Sequence, residues 1–124
     1  MAETITVQME RIMDEYTKRV KNAYEVATDR VSREAVRKLR NTSPKKTGSY
    51  ARGWKLKRLK THDGVTDVIV HNATDYQLTH LLENGHVVRN AKGEYGRAPA
   101  HKHIAPVAEW ANNELPTEIE RELL

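Results

Sequence analysis

From Gln8 to Leu39 the chain contains neither glycine nor proline. Within this stretch, apolar residues recur in steps of three and four, the spacing that places side chains on one face of an α-helix. These residues are Met9, Ile12, Met13, Tyr16, Val20, Ala23, Tyr24, Ala27, Val31, Ala35, Val36 and Leu39. At ~1.5 Å per residue the helix would span roughly 45 Å, which exceeds the diameter of a small domain. One end of the helix is therefore expected to project or to meet another subunit.

The chain has the size of one ordinary domain, with 124 residues and a mass of 14.2 kDa. It has no cysteine, which excludes disulfides and thiolate metal sites and fits a reducing compartment such as the bacterial cytoplasm. Its apolar runs are short, and its N-terminus carries acids where a signal peptide needs positive charge. We expect a single domain, residues 1–124, and no association with a membrane.

The segment "NTSPKKTGSY" ends the helix, because Pro44 disfavours helical geometry at Ser43 and Gly48 allows a turn. Two strands follow, "GWKLKRLK" and "VTDVIVHN", on either side of Asp63-Gly64, a dipeptide that accepts the backbone angles of a tight hairpin.

Alternation along the first of these strands places Trp54 and Leu56 on one face and Lys55 and Lys57 on the other. The alternation fails at Arg58-Leu59, which predicts a bulge or a sheet edge there.

The segment "NATDYQLTHLLENG" predicts a short middle helix that ends at Gly85. Its candidate N-caps are Asn72 and Thr74. The leucines predicted to point inward are Leu78, Leu81 and Leu82.

The last segment, "IAPVAEWANNELPTEIERELL", predicts a C-terminal helix with Pro106 in its first turn. Pro116 should kink or restart this helix. Trp54 and Trp110 are interpreted as core residues. Together the segments predict an α+β fold, in which the long N-terminal helix packs on a small antiparallel sheet of three to four strands beside the middle and C-terminal helices.

The histidines raise the question of a metal site, since His80, Glu83 and His86 lie within seven residues. A zinc-binding helix needs two histidines one turn apart on one face, whereas His86 follows the glycine that should end the helix. His101 and His103 would share one side of a predicted strand "RAPAHKHI", and a site there would need a third ligand from elsewhere, such as His86 or Glu83. We expect no metal and no cofactor.

An enzyme is not expected either. The three serines, Ser32, Ser43 and Ser49, lie in a charged helix or a turn without a nucleophile elbow, and no glycine-rich phosphate loop occurs. The carboxylates fall mostly on helical faces exposed to solvent.

The chain contains 21 Lys and Arg against 17 Asp and Glu, and these charges are unevenly distributed along it. No acid occurs between Glu34 and Asp63, while the chain beyond Ile104 carries five glutamates against one arginine. Such a pattern can bind nucleic acid or pair between copies of the chain. The candidates for an interface or a DNA-facing surface are Arg52, Lys55, Lys57, Arg58, Lys60, His101 and His103.

The order of several motifs resembles the neck or tail-completion family of long-tailed bacteriophages. After the long charged helix come "SPKKTGSYARGW", a basic hairpin, "YQLTHLLENGH" and "HKHIAPVAEWANNEL", and the resemblance covers nearly the whole chain. The specific elements are the "TG" turn after a proline, the "LLENGH" turn and the "HIAP" opening of the last helix.

The resemblance implies a structural virion protein, assembled in the host cytoplasm, that forms a ring at the head–tail junction. Its partners would be copies of itself in a six-fold or twelve-fold ring, the head connector and the tail terminator or tail tube, with non-specific contact to genomic DNA. "RNAKGEYGRAPA" would be a variable loop whose charges suit a partner, and His86 would start a strand. The structural anchors would be Gly48, Trp54, Leu81, Leu82, Gly85, Pro106 and Trp110.

Three alternative functions each account for a single feature of the sequence. A small basic nucleic-acid-binding module would use the segment from Arg37 to Lys60 against phosphates, with Tyr50 or Trp54 stacking on bases. A metal-dependent nuclease or protease would use the histidines and Glu83. The size and charge also fit a small basic nuclease of the toxin type.

Overall fold

The computed structural model of the chain describes residues 4–61, 64–90 and 93–124. Its first element, the helix α1, spans Ile5–Thr42. The Thr4 hydroxyl caps it by accepting a hydrogen bond from the Val7 N–H at 3.2 Å. The helix ends at Ser43, which is extended at ψ 148° as the following Pro44 requires. The long helix predicted from the periodicity is confirmed, and it is several residues longer at each end.

The second half of α1 forms the centre of the fold. Its small and branched side chains are buried, with Ala27 0% exposed and Leu39 4% exposed. The core cluster that includes this half of α1 consists of Ala35, Val36, Leu39, Tyr50, Trp54 and Val107, with Leu56, Val70, Leu82, Ile104 and Trp110 packed against it. Both tryptophans therefore contribute to the core, as predicted.

A one-turn helix, α2 (Ser49–Arg52), leads into the first hairpin, which pairs β1 (Trp54–Lys60) with β2 (Thr66–Asn72). The antiparallel register runs without a shift from Trp54 opposite Asn72 to Lys60 opposite Thr66. Of the two alternatives predicted at Arg58-Leu59, the bulge is wrong, because Arg58 keeps the face of Trp54 and Leu56 and ion-pairs with Asp29 of α1. The sheet edge is confirmed, since β1 is one strand of a two-stranded sheet. Part of the predicted turn, Asp63, lies outside the described residues, and Gly64 has φ +79°.

The connection to the middle helix is organised by Asn72. Its side-chain oxygen accepts hydrogen bonds from the Thr74 and Asp75 N–H groups, and its amide donates to the Tyr50 carbonyl at 2.7 Å. A 3₁₀ turn, Tyr76–Leu78, precedes α3 (Thr79–Asn84). Asn72 therefore shapes a turn before this helical segment. Neither Asn72 nor Thr74 is an N-cap, because Asp75 precedes the 3₁₀ turn and Leu78 precedes α3.

Of the three leucines predicted to point inward, Leu82 packs against the core cluster. Leu81 is half-buried, while Leu78 is 36% exposed because it ends the 3₁₀ turn at the surface. Gly85 ends α3 as predicted.

A second hairpin follows, formed by β3 (His86–Asn90) and β4 (Gly93–Ala98). His86 starts a strand as predicted, whereas the segment predicted to be a variable loop contributes the end of β3 and the whole of β4. The four strands form two separate two-stranded sheets, so the α+β class is confirmed with two small sheets.

The last helix, α4 (Ile104–Leu123), lies against α1 and runs continuously through Pro116, so the predicted restart there is wrong. Its position along α1 is fixed by contacts at both ends. The Lys38 ammonium lies 4.7 Å from the centroid of the Trp110 ring. Near the other end, the Arg19 guanidinium donates to the Leu123 carbonyl at 3.2 Å.

Candidate interaction surfaces

The outer face of the first hairpin combines basic and apolar side chains. Lys55 and Lys57 are exposed there, opposite His71 and Ile69 of β2. Leu59, on the same face of β1, is 41% exposed, and Ile69 is 44% exposed. This surface, defined by Lys55, Lys57, Leu59, Ile69 and His71, is called the outer hairpin face below.

Three other basic candidates lie elsewhere. Arg58 points to α1, where its hydrogen bond, followed by the charge of Arg33, holds the pKa of Asp29 below its ordinary value despite partial burial. Lys60 is exposed near the end of β1, and Arg52 is exposed at the end of α2. The basic segment is thus divided between an outward face and contacts within the fold.

The two histidines proposed for an interface are separated by the structure. His101 is exposed, whereas His103 is 2% exposed and lies in the core. Neither is in a strand, because β4 ends at Ala98 and the chain then turns into α4. The prediction that His103 faces a partner is therefore wrong for this chain, and its role is internal.

His103 joins two elements through its ring nitrogens. Nδ1 donates to the His101 carbonyl at 2.6 Å, and Nε2 is hydrogen-bonded to the Tyr50 hydroxyl at 2.7 Å. The rings of Tyr50 and His103 meet edge to face at 5.5 Å, and Tyr50 meets Trp54 in the same way at 5.6 Å. Burial, together with the nearby charge of Glu83, raises the pKa of Tyr50 to about 12.

Glu83, a candidate metal ligand by sequence, is a buried cap of α4. Oε1 accepts from the His103 and Ile104 N–H groups at 2.9 and 2.8 Å, and Oε2 accepts from Ala105 N–H at 2.9 Å. Burial alone would raise the pKa of Glu83, but these backbone donors outweigh it and hold the pKa below its ordinary value. The carboxylate satisfies the free N–H groups at the start of α4 across twenty residues of sequence.

The turn at Gly85 explains why the "LLENGH" segment needs a glycine. Its backbone has φ +74° and ψ 171°, a region open almost only to glycine. A Cβ there would also lie 2.6 Å from the Ala98 carbonyl oxygen. Gly48, at φ +84°, occupies the residue before α2, where a Cβ would meet only the side chain of Arg52.

Part of the acidic tail is engaged within the chain. Glu118 of α4 accepts from Arg30 of α1 at 2.7 Å, and Glu122 lies 3.3 Å from the same guanidinium. The Arg30 hydrogen bond is the main reason that the pKa of Glu118 lies below its ordinary value. These glutamates hold α4 on α1, so they cannot also pair with the basic segment of another copy without leaving Arg30.

The first turns of α1 extend beyond the rest of the fold. Large apolar side chains are exposed there, with Ile5 76%, Ile12 64% and Met13 66% exposed. We call residues Ile5–Thr17 the arm. The sequence predicted that one end of this helix would project, and its apolar row shows which face is left uncovered.

In the part of the chain that the structure describes, no group of three His, Asp or Glu side chains could hold a metal ion. The helices described there include none that is long and apolar enough to cross a membrane.

The chain was compared with known protein families, curated proteins and solved structures. A family model described as "Bacteriophage HK97-gp10, putative tail-component" matches residues 7–85. The chain belongs to this HK97 gp10-like phage family. In the same comparisons no curated protein and no solved structure matches the chain.

The part matched by the HK97 gp10-like family begins inside the arm and ends at Gly85. It contains almost all of α1, the first hairpin and α3, and therefore most of the arm and the whole outer hairpin face. The second hairpin and α4 lie beyond the match. The family accordingly supports the prediction of a phage tail component, and with it a location in the virion.

Proposed function

We propose that this protein is a structural subunit of a ring at the junction between the DNA-filled head and the tail of a tailed bacteriophage. It completes the tail and joins the two parts. The observation that carries this proposal is the match of residues 7–85 to a family of phage tail components. The order of the "SPKKTGSYARGW", "LLENGH" and "HIAP" motifs supports the narrower position at the neck.

The surfaces of the subunit suit assembly. The arm exposes a row of large apolar side chains, and the outer hairpin face surrounds Leu59 and Ile69 with two lysines. Exposed apolar side chains rimmed by polar ones are typical of protein–protein interfaces. The proposed partners are other copies of the chain in a six-fold or twelve-fold ring, the head connector and the tail terminator or tail tube.

The test is a nonsense mutation in the gene of a phage that encodes this chain. Electron microscopy of the lysate should show DNA-filled heads and separate, full-length tails that do not join, and plating should show few infectious particles. Supplying the wild-type chain from a plasmid should restore joining.

A Leu82→Asp chain should not restore joining, because an unpaired charge against the core costs several kcal/mol of a total stability of roughly 5 to 15 kcal/mol. Normal yields of joined, infectious particles from the nonsense mutant would refute the position at the neck.

A second candidate function is nucleic-acid binding, favoured by the exposed Lys55, Lys57 and Lys60 of β1. Stacking on bases by Tyr50 or Trp54 is excluded, because these side chains are 6% and 4% exposed and pack on each other. Binding would therefore rest on phosphate contacts and fall steeply with salt. Fluorescence anisotropy with duplex DNA over a salt series measures it, and a Kd insensitive to Lys55→Glu/Lys57→Glu would exclude this face.

A further inference from the structure

We infer that the arm of one copy docks on the outer hairpin face of a second copy, so that each subunit gives one contact and receives one. This inference rests on the proposed ring and names the surfaces that close it.

The arm is an uncovered continuation of a buried face. Ile5, Met9, Ile12, Met13 and Tyr16 continue in steps of three and four toward Ala23 and Ala27, yet all five are 57% or more exposed. The buried residues and the exposed ones belong to one apolar row on one helix. What differs along the row is the presence of a covering element.

The elements that cover α1 stop before the arm. The C-terminal end of α4 reaches Arg19, and β2 reaches Tyr24, whose hydroxyl lies 3.3 Å from Asp67. The helix extends about 21 Å beyond Arg19 at 1.5 Å per residue. A row of five large apolar side chains of this length is expected to be covered by another chain.

The chain's own hairpin cannot provide the cover. Its inner face carries Leu56 and Val70, which pack against the core, and Arg58, which binds α1. Because side chains alternate along a strand, Lys55, Lys57 and Ile69 lie on the side of the hairpin opposite Leu56 and Val70. At the far end of this face Asp67, opposite Leu59, accepts a hydrogen bond from the Tyr24 hydroxyl of α1 at 3.3 Å. The part of this face around Lys55, Lys57 and Ile69 is therefore open to another chain.

The charges favour the hairpin of a second copy over a second arm. At 100° per residue, the charged residues that border the apolar row of the arm are Glu10 and Glu15, one on each flank, while Arg11 and Asp14 lie on the opposite side of the helix. Two arms packed together would gather four carboxylates around one seam. The outer hairpin face instead offers Lys55 and Lys57 beside the exposed Leu59 and Ile69. The carboxylate at the far end of this face, Asp67, is engaged by the Tyr24 hydroxyl of its own chain.

The symmetry of this contact agrees with a ring. The arm and the outer hairpin face are different surfaces, so the contact is heterologous, and such a contact closes into a ring when its rotation divides a full turn. Pairing of two arms would be isologous and would stop at a dimer. The arm-to-hairpin contact is therefore the one of the two that can build the proposed assembly.

Cysteine cross-linking tests the contact directly, because the natural chain contains no cysteine. We expect Met13→Cys protein mixed with Ile69→Cys protein to form a disulfide between the two variants under mild oxidation. If one variant carries a mass tag, the mixed pair can be distinguished on a non-reducing gel. Met13→Cys mixed with Ala108→Cys, whose cysteine replaces an exposed residue of α4, is the matched control. Cross-linking of Met13→Cys alone at the level of the mixture would show arm pairing and overturn the inference, as would a mixture no more reactive than the control.

A charge exchange gives a second measurement that does not depend on cysteine. Glu10→Lys/Glu15→Lys and Lys55→Glu/Lys57→Glu should each weaken self-association about tenfold, since two exposed charge pairs are lost. A chain carrying all four changes should recover the wild-type association by sedimentation velocity. Failure to recover, in a chain whose circular dichroism shows a normal fold, would overturn the inference.

The two proposals fail separately. Cross-linked protein together with normal particles from the nonsense mutant would remove the head–tail role and keep the arm contact. Unjoined heads and tails together with no specific cross-link, in concentrated protein and in purified tails, would keep the role and remove the arm contact.

Discussion

The two halves of α1 have the same apolar spacing and opposite surroundings. In the arm, Met13 is 66% exposed, whereas one face of the second half is closed by the first hairpin and α4, with Ala27 at 0%. The side chains differ as well. The arm carries isoleucine, methionine and tyrosine, while the covered half carries mainly alanine and valine.

This difference shows which features of packing a helical repeat predicts and which it does not. The spacing identifies the face that will be buried, but the size of the side chains indicates how closely the covering element approaches. Small residues let α4 and the hairpin lie close to α1. Large, flexible residues such as methionine suit a surface that adapts to a partner.

The largest effect should come from placing a charge on each half of the same helix. Ala27→Asp buries an unpaired carboxylate at a fully covered position and should cost several kcal/mol, enough to prevent cooperative folding. Ile12→Asp should leave the melting temperature of the dilute monomer unchanged, because Ile12 is 64% exposed. Thermal unfolding followed by circular dichroism compares them, and an equal loss in both would mean that the monomer covers its own arm.

Aromatic truncation should give a smaller contrast of the same kind. Trp54→Ala should destabilise the fold by about 3 to 5 kcal/mol, since it empties a core position and removes the indole donor to the Ser43 hydroxyl. Tyr16→Ala, in the arm, should change stability by no more than about 0.5 kcal/mol. Urea unfolding at low protein concentration measures both, and a large loss in the tyrosine variant would contradict the exposed position of the arm.

The covered half also depends on how α4 is held, which makes its stability sensitive to acid. The pKa of Glu83 is lowered in the folded state, so its contribution is present above the ordinary value of 4.5 and is lost as the pH falls through the lowered pKa. Glu83→Gln should cost about 1 to 3 kcal/mol at pH 7, because the charge-assisted bonds to the backbone are weakened.

Urea unfolding between pH 7 and pH 3 checks this expectation. The difference in stability between wild type and Glu83→Gln should shrink over the acid range, and Glu15→Gln in the arm serves as the control. A difference that stays constant with pH would mean that the ionised carboxylate does not hold α4.

The smallest contrast concerns salt bridges on the two halves. Asp14 pairs with Lys18 at 3.0 Å on the arm, while Asp29 binds Arg33 and Arg58 and so links α1 to the hairpin. Asp14→Asn and Asp29→Asn should each lower the free energy of unfolding by less than about 1 kcal/mol, and the loss should be larger for Asp29→Asn. Because the pKa of Asp29 is lowered, its contribution is present above the ordinary value of 3.8 and lost below it. Equal effects at pH 7 and low salt would mean that the contact to Arg58 adds no stability.

Local patterns were sufficient to predict several elements from the sequence. The helical repeat predicted α1, Pro44 and Gly85 predicted two helix ends, and Trp54 was predicted to be a core residue. Each depends on neighbouring residues or on hydrophobicity alone. The same holds for the face of Lys55 and Lys57, which follows from strand alternation.

The errors concern residues whose neighbours are distant in sequence. His103 was expected on a strand and at an interface, but Tyr50 and Glu83 bind it in the core. Arg58 places a charge on the apolar face of β1 because its partner, Asp29, lies on another element. In the candidate site, the apolar row of the arm was visible in the sequence, but its exposure depends on where α4 and β2 stop along α1. That boundary is a property of tertiary packing.

The uninterrupted helix also has a mechanical consequence. No glycine or proline lies between Gln8 and Leu39, so nothing provides a hinge where the arm leaves the core. A helix of this kind bends only slightly over its length, and α1 therefore works as a lever. In the proposed ring, a sideways force on Ile5 would reach the packing around Leu39 as a torque, so a subunit held by its arm would be turned as well as pulled.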